Sequence, residues 1–233
     1  MEHSESRWCH GMIAGQGSIP FMTSPLTLSS LPLFPLGSVL FPDGVLALRV
    51  FEVRYLDMVR KCHHTGAPFG VVSLTQGHEV RQAGAPDERF HDTGTLAVIE
   101  QLHNPQPGLI TLLCRGSQRF HITQRHHLPH GLWTADVGHI DQDFVVPIPE
   151  DLKKAAAALA QVLHTLRQRD PGTPGAITPT EAQLDDCGWV ANRWCELLPV
   201  PLELKQRLME LDNPLVRLEL VGDVLERTGI APQ

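Results

Sequence analysis

The predominant spacing of the apolar residues in this chain changes at Pro147-Ile148-Pro149. Upstream they come in short alternating or continuous runs, as strands do. Downstream they recur every three or four residues, as on the buried face of a helix. A chain patterned this way does not interleave strands and helices into a doubly wound sheet. It builds a sheet first and a helical layer second, an α+β architecture. The expected division is a flexible tail over 1–23, a β-rich unit over 24–146 and a helical unit over 147–233.

In the β-rich unit, Leu31-Pro32-Leu33-Phe34-Pro35-Leu36 is apolar but carries prolines that forbid a helix, which suits an edge or irregular strand. Asp43-Gly44 is turn chemistry before the run Val45 to Val50. Phe51, Tyr55, Met58 and Cys62 then share helical spacing, so Glu52 to His64 reads as one short amphipathic helix, closed by Gly66. Phe69 to Leu74, Thr95 to Leu102, Leu109 to Cys114, Arg119 to Thr123 and Leu132 to Ile140 read as further strands. Polar Gln76 to Asp92 reads as a long exposed hairpin loop. At least six strands with one inserted helix suggest a closed or nearly closed barrel.

Four helices are expected beyond Pro149. The first spans about Glu150 to Arg169 with Leu152, Ala156, Leu159, Leu163 and Leu166 inward. Thr178-Pro179-Thr180-Glu181 is a capping box that opens a second, on which Leu184, Cys187, Ala191, Trp194 and Leu198 share a face. Leu204, Leu208 and Leu211 mark a third. Asn213-Pro214 starts the last and Gly229 stops it. Short connections between them favour a four-helix bundle.

Several function classes are disfavoured. Acidic residues outnumber basic ones, 26 to 19, and the net charge of −7 argues against a phosphate-binding face. With one tyrosine in the chain, aromatic platforms for RNA bases are scarce as well. No run approaches the length of a membrane helix and no signal peptide is visible, so a cytoplasmic protein is expected. Cys9, Cys62, Cys114, Cys187 and Cys195 are odd in number and widely spaced, which reads as reduced, buried thiols. His121, His126, His127 and His130 cluster, but Pro129 and Gly131 spoil the helix that would align ligands, so no metal is expected. Cys62 and His63 are adjacent on a helix and point apart, which removes a nucleophile–base pair. G-x-S-x-G, H-E-x-x-H and G-x-G-x-x-G are all missing. An enzyme is not expected, nor any cofactor.

Leu31 to Leu36 followed by Val39-Leu40-Phe41-Pro42 resembles the opening of the Lon N-terminal domain, the substrate-recognition domain of Lon proteases. Phe51-Glu52-Val53-Arg54-Tyr55 with Met58-Val59 is similar to that family's next segment. Phe69-Gly70-Val71-Val72, Thr93 to Ala97 and Gly116 to Ile122 follow in the family's order, and Trp194 to Pro199 and Lys205 to Leu218 resemble its helical part. The resemblance covers roughly Leu26 to Glu226. It implies a PUA-like β pseudobarrel followed by a helical bundle, and a module that binds protein or unfolded polypeptide. With no G-x-x-x-x-G-K-[ST] loop, it implies a stand-alone member without ATPase or protease machinery.

The candidate binding positions are Phe34, Pro35, Phe51, Glu52, Arg54 and Tyr55. They are weighed against a structural role in which Phe51 and Tyr55 anchor the helix and the charges pair locally. The proline-flanked apolar segment is a candidate for a partner strand that adds to a free sheet edge. The expected site is a cleft between sheet and helices with the Gln76 to Asp92 loop at its rim. Alternatives are an adaptor for one folded partner, such as a cellular protease, and an RNA-binding PUA-like protein.

Overall fold

The structure, a computed structural model, describes residues 27–80, 88–172 and 175–229. The tail expected over 1–23 and the tip of the loop beyond Val80 lie outside the described residues. The first half holds strands β1 (Thr27–Leu36), β2 (Val45–Val50), β3 (Phe69–Gln76), β4 (Arg89–Gln106), β5 (Leu109–His127) and β6 (Trp133–His139), with helix α1 (Val53–Thr65) between β2 and β3. The second half holds a 3-10 turn (Glu150–Leu152) and helices α2 (Lys153–Arg169), α3 (Glu181–Leu184), α4 (Cys187–Leu197), α5 (Leu202–Glu210) and α6 (Pro214–Thr228).

The six strands run β2-β5-β4-β3-β1-β6, and β6 pairs again with β5, so five of them close a ring and β2 hangs on its side. β5 makes this possible by its length. Its first half pairs with β2 over Ile110–Arg115, and its second half takes β6 over Phe120–His127 on the same side. Leu109–Cys114 and Arg119–Thr123, expected as two strands, are therefore one. Gly116 lies at the crossover, where a Cβ would fall 2.2 Å from the Phe41 carbonyl oxygen. Only glycine admits that backbone approach.

β1 is the irregular strand that its prolines allowed, though it lies between two others in the sheet order. It pairs with β6 over Thr27–Pro32 and in parallel with β3 over Leu33–Leu36. Changing partner halfway leaves one side of each half open, which is how Pro32 and Pro35 sit in an interior strand without a donor. A bulge between Leu28 and Leu31 holds Ser30 at φ 56°, and the Ser30 N–H donates to Asp136 Oδ1 at 2.9 Å.

Among the described residues beyond Pro149 there are five α-helices where four were expected. The one anticipated over Thr178–Leu198 breaks at Asp185-Asp186, because the connection from the sheet docks there. Ile148 N–H donates to the Asp185 carbonyl and Val146 N–H to the Asp186 carboxylate. Asp186 also caps α4 through the N–H groups of Gly188 and Trp189. The capping box is real but lies two residues later than expected, with Thr180 and Gln183 as its members. Asn213 and Gly229 bound α6 as expected. Leu166, expected inward, is exposed.

Side chains between α1 and the sheet form one apolar cluster around Tyr55, Phe69 and Ile110, and those of β1, β4, β5 and β6 a second around Leu33 and Phe120. A third fills the helical layer around Leu159, Trp194 and Leu218, and Phe41 joins it from the β1–β2 connection. Sheet and helices are tied by buried arginines. Arg119 on β5 donates to the Met209 carbonyl at 2.9 Å and to Asp143 at 2.9 Å. Arg217 on α6 donates to the Leu208 carbonyl, to Asn192 and to the same Asp143 carboxylate. Their aliphatic stems are sealed in apolar surroundings while each guanidinium finds acceptors, which makes the burial tolerable.

Candidate functional site

β6 closes the ring at one end only: because β1 turns from β6 to β3 halfway along, and β6 reaches only the second half of β5, no described strand joins the C-terminal half of β1 to the outer edge of β2. A cleft of about 250 Å³ follows that seam, lined by Phe34 and Leu36 from β1, Ala47 to Val50 from β2, Phe51, Glu52 and Tyr55 at the start of α1, and Glu79 and Val80 from the loop after β3. It gathers four of the six candidate positions.

The six differ sharply in what they offer. Phe34 and Tyr55 are 6 % and 2 % exposed, and their rings stack with centroids 4.0 Å apart, forming the floor. Phe51 is 52 % exposed, so it does not anchor α1 as its spacing suggested. It stands as a lip. The spacing misleads because Phe51 precedes the helix, where the 3.6-residue period does not yet apply. Val53, at the first position of α1, is also exposed.

Arg54 points away from the cleft and works structurally. Its Nη1 donates to the Gly131 carbonyl at 2.8 Å, its Nη2 pairs with Glu88 at 3.0 Å and with Glu52 at 3.3 Å, and its guanidinium lies 4.6 Å from the Tyr55 ring centre. This local pairing of charges is the structural role weighed for Glu52 and Arg54. Pro35 is buried in β1 and does not line the cleft.

Two further clefts lie between sheet and helices among the described residues. The larger, about 410 Å³, continues from the same β2 edge: Val45 and Leu46 line it with Gly37 to Leu40 on one side and Glu196, Val200, Leu202 and Lys205 on the other. The smaller, about 230 Å³, lies behind the Asp43-Gly44 turn and includes Gln118, Asp141 and Trp189. The loop that begins at Gln76 was expected at the rim of such a junction cleft. Of its described residues, Glu79 and Val80 line the seam beside α1, and Glu79 Oε1 accepts at 2.7 Å from the N–H of Gly37, which lines the larger junction cleft.

Glu196 is the one strongly perturbed acid at these clefts. Burial pushes its carboxyl up to about 7, against the opposing pull of Arg193 and Lys205. Arg193 beside it donates from Nη2 to Glu196 at 2.9 Å and to the Pro42 carbonyl at 2.7 Å, while its Nε and Nη1 are buried without partners. Sequence reasoning passed over this pair. An Arg-x-x-Glu spacing on a helix is common, and nothing in it announces burial.

Among the described residues, the Cys62 thiol lies against Met58 Sδ and the Pro68 carbonyl rather than a histidine. Cys62 is buried in the core under α1 with its thiol pushed up by desolvation. Of the clustered histidines, His127 stacks on Trp133 with ring centres 4.3 Å apart and His126 lies 3.4 Å from Asp136. Among the described residues no three His, Cys, Asp or Glu side chains converge as metal ligands, and no helix is long and apolar enough to cross a membrane. Chemically, the seam offers apolar walls, an open strand edge and a few peripheral charges.

Comparison with known proteins bears on what such a seam is for. Residues 30–227 match the family model described as the ATP-dependent protease La (LON) substrate-binding domain. A Lon protease of Anaeromyxobacter dehalogenans is 26% identical over 229 residues, covering 93% of this chain and 26% of the relative. Lon protease 2 of Myxococcus xanthus is 26% identical over 205 residues, 84% of this chain and 23% of its own length. The chain thus spans about a quarter of these relatives. Among solved structures, the crystal structure of a Lon N-terminal domain protein from Xanthomonas campestris is 31% identical with a TM-score of 0.60, covering 83% of this chain and 97% of that one. The N-terminal domain of the Mycobacterium avium complex Lon protease shares the fold, with a TM-score of 0.53 at 18% identity over 83% of this chain and 96% of that one.

Proposed function

The chain belongs to the Lon substrate-binding domain family, and from that premise we propose that it is a non-catalytic module that holds extended apolar polypeptide segments in the seam between β1 and β2. The observation that carries the reading is the seam itself. The ring is closed by β6 at one end only, and at the other end Phe34 and Tyr55 floor a cleft between β1 and β2 with Phe51 standing over it. Exposed aromatic side chains beside a concave apolar floor are the usual anchors of protein recognition. The family's substrate-binding role supports a polypeptide as the occupant. The test is retention of a permanently unfolded, carboxymethylated model protein at concentrations on the order of tens of micromolar. Binding that Phe51→Ala weakens supports the reading, and no binding to any such protein removes it.

A second reading, an adaptor for one folded partner, draws on Phe144 and Val145, which are 83% and 79% exposed. They project from a connection pinned on both sides, by Asp143 between Arg119 and Arg217 and by Val146 on Asp186. A rigidly presented apolar pair suits a preformed pocket on a folded protein. Recovery from lysate separates the two: one stoichiometric partner lost on Phe144→Ser favours the adaptor, a mixed population of unfolded clients the first reading.

A further inference from the structure

We propose that the occupant of the seam adds to the outer edge of β2 as a β-strand, with a basic side chain at the Phe51 end. This rests on the polypeptide-binding reading and specifies how the segment is held. β2 pairs with β5 alone, in an uninterrupted antiparallel register from Val45↔Arg115 to Val50↔Ile110. One step before, the Gly116 N–H donates to the Gly44 carbonyl at 2.8 Å. Residues of an antiparallel strand alternate between facing their partner and facing away. Leu46, Leu48 and Val50 therefore bond to β5, while Val45, Ala47 and Arg49 turn their N–H and C=O groups toward the seam. Among the described residues no group accepts from or donates to these six.

Free edges of this kind are normally blunted by proline, a bulge or a covering element. β2 contains no proline, its register has no bulge, and both clefts run along it, one over Val45 and Leu46 and the other from Ala47 to Val50. A strand laid there keeps its alternate side chains against Phe34, Leu36 and Tyr55 and against Val39, Val200 and Leu202. The charges give it a direction. At the Phe51 end the cleft carries Glu79 against Arg49, with Glu52 already paired to Arg54, and at the Val45 end the Lys205 ammonium stands on the Glu196 carbonyl. A basic residue on the segment is accommodated at the first end and an acidic one at the second.

The experiment uses synthetic peptides that alternate valine and threonine between a terminal lysine and a terminal glutamate, in both sequence directions, measured by fluorescence anisotropy against the full chain. N-methylation is then placed on one alternate set of backbone amides or the other. Strand addition predicts that one set weakens binding about tenfold and the other leaves it nearly unchanged. It also predicts that one peptide direction is preferred and that Glu79→Lys erases the preference. Ala47→Pro removes an outward N–H without touching a β5 bond, so it should weaken binding about tenfold with the thermal midpoint kept. Equal effects of both methylation sets overturn strand addition, and equal affinity of both directions overturns the charge polarity. A dimer in solution that Ala47→Pro dissolves, with no peptide binding, identifies a second copy of this chain as the occupant and also overturns the proposal. If unfolded proteins bind while methylation shows no period, the broader polypeptide reading survives and only the strand geometry falls.

Discussion

The rings of Phe34 and Tyr55 stack with centroids 4.0 Å apart and planes 11° from parallel, one carried by β1 and the other by α1. This contact makes the floor of the seam and at the same time fastens the helix to the sheet, so the two roles separate only through different residues. Phe34→Ala leaves a hole under α1 and should cost about 3–5 kcal/mol in stability. Phe51→Ala, at the exposed lip, should change stability by less than about 0.5 kcal/mol while weakening unfolded-protein binding severalfold. Urea unfolding and a binding titration on both variants check this. A Phe51→Ala chain that binds as well as wild type would remove the lip from the site.

The Asp143 carboxylate serves two buried guanidinium groups, Arg119 and Arg217. Asp212 also reaches Arg119 at 3.3 Å, but it is too exposed to stand in for a buried counter-charge. Asp143→Asn should therefore destabilise the chain by about 3–5 kcal/mol, the cost of leaving buried cations without their anion. A shift of the urea midpoint measures it, and a wild-type midpoint would mean that the backbone carbonyls around the two arginines suffice.

Glu196 gives stability a pH dependence of definite sign. Its carboxyl is raised to about 7 by burial, so the folded chain holds that proton more tightly than the unfolded chain does. The contribution is complete below the ordinary carboxylate range and is lost as pH rises through about 7. A quarter of the side chain still reaches solvent, which trims the effect. Relative to Glu196→Gln, wild type should lose on the order of 2 kcal/mol between about pH 5 and pH 8. Parallel stability profiles for the two proteins would contradict it.

Cys62, Cys114, Cys187 and Cys195 are free and buried, and desolvation raises all four thiols, Cys187 to about 11 and Cys114 and Cys195 to about 12. At pH 8 they should react with a thiol reagent orders of magnitude more slowly than a free cysteine, at rates set by unfolding. Timed labelling with and without urea is the check. Fast labelling at any of the four would show an opening of the core around it.

Much of the architecture was legible along the chain. Strand-like alternation, helical spacing, the Asn213 and Gly229 caps and the Lon-like motifs are local features, written over a few residues by propensity and capping. The local signals slipped where a distant segment intervened. Asp185 and Asp186 would have continued a helix had the connection carrying Val146 and Ile148 not taken their polar groups.

Of the candidate positions, Phe34, Phe51, Glu52 and Tyr55 line the seam, but which of them is floor and which is lip was not written in the motif. What the sequence by itself determined is the kind of elements, their order and the family they spell. What only the tertiary structure decided is where the sheet stays open. That depends on β1 changing partner after Pro32 and on β5 being long enough to hold β2 and β6 side by side. Strand edges are made by long-range pairing, and no local pattern records which edge is left without a neighbour.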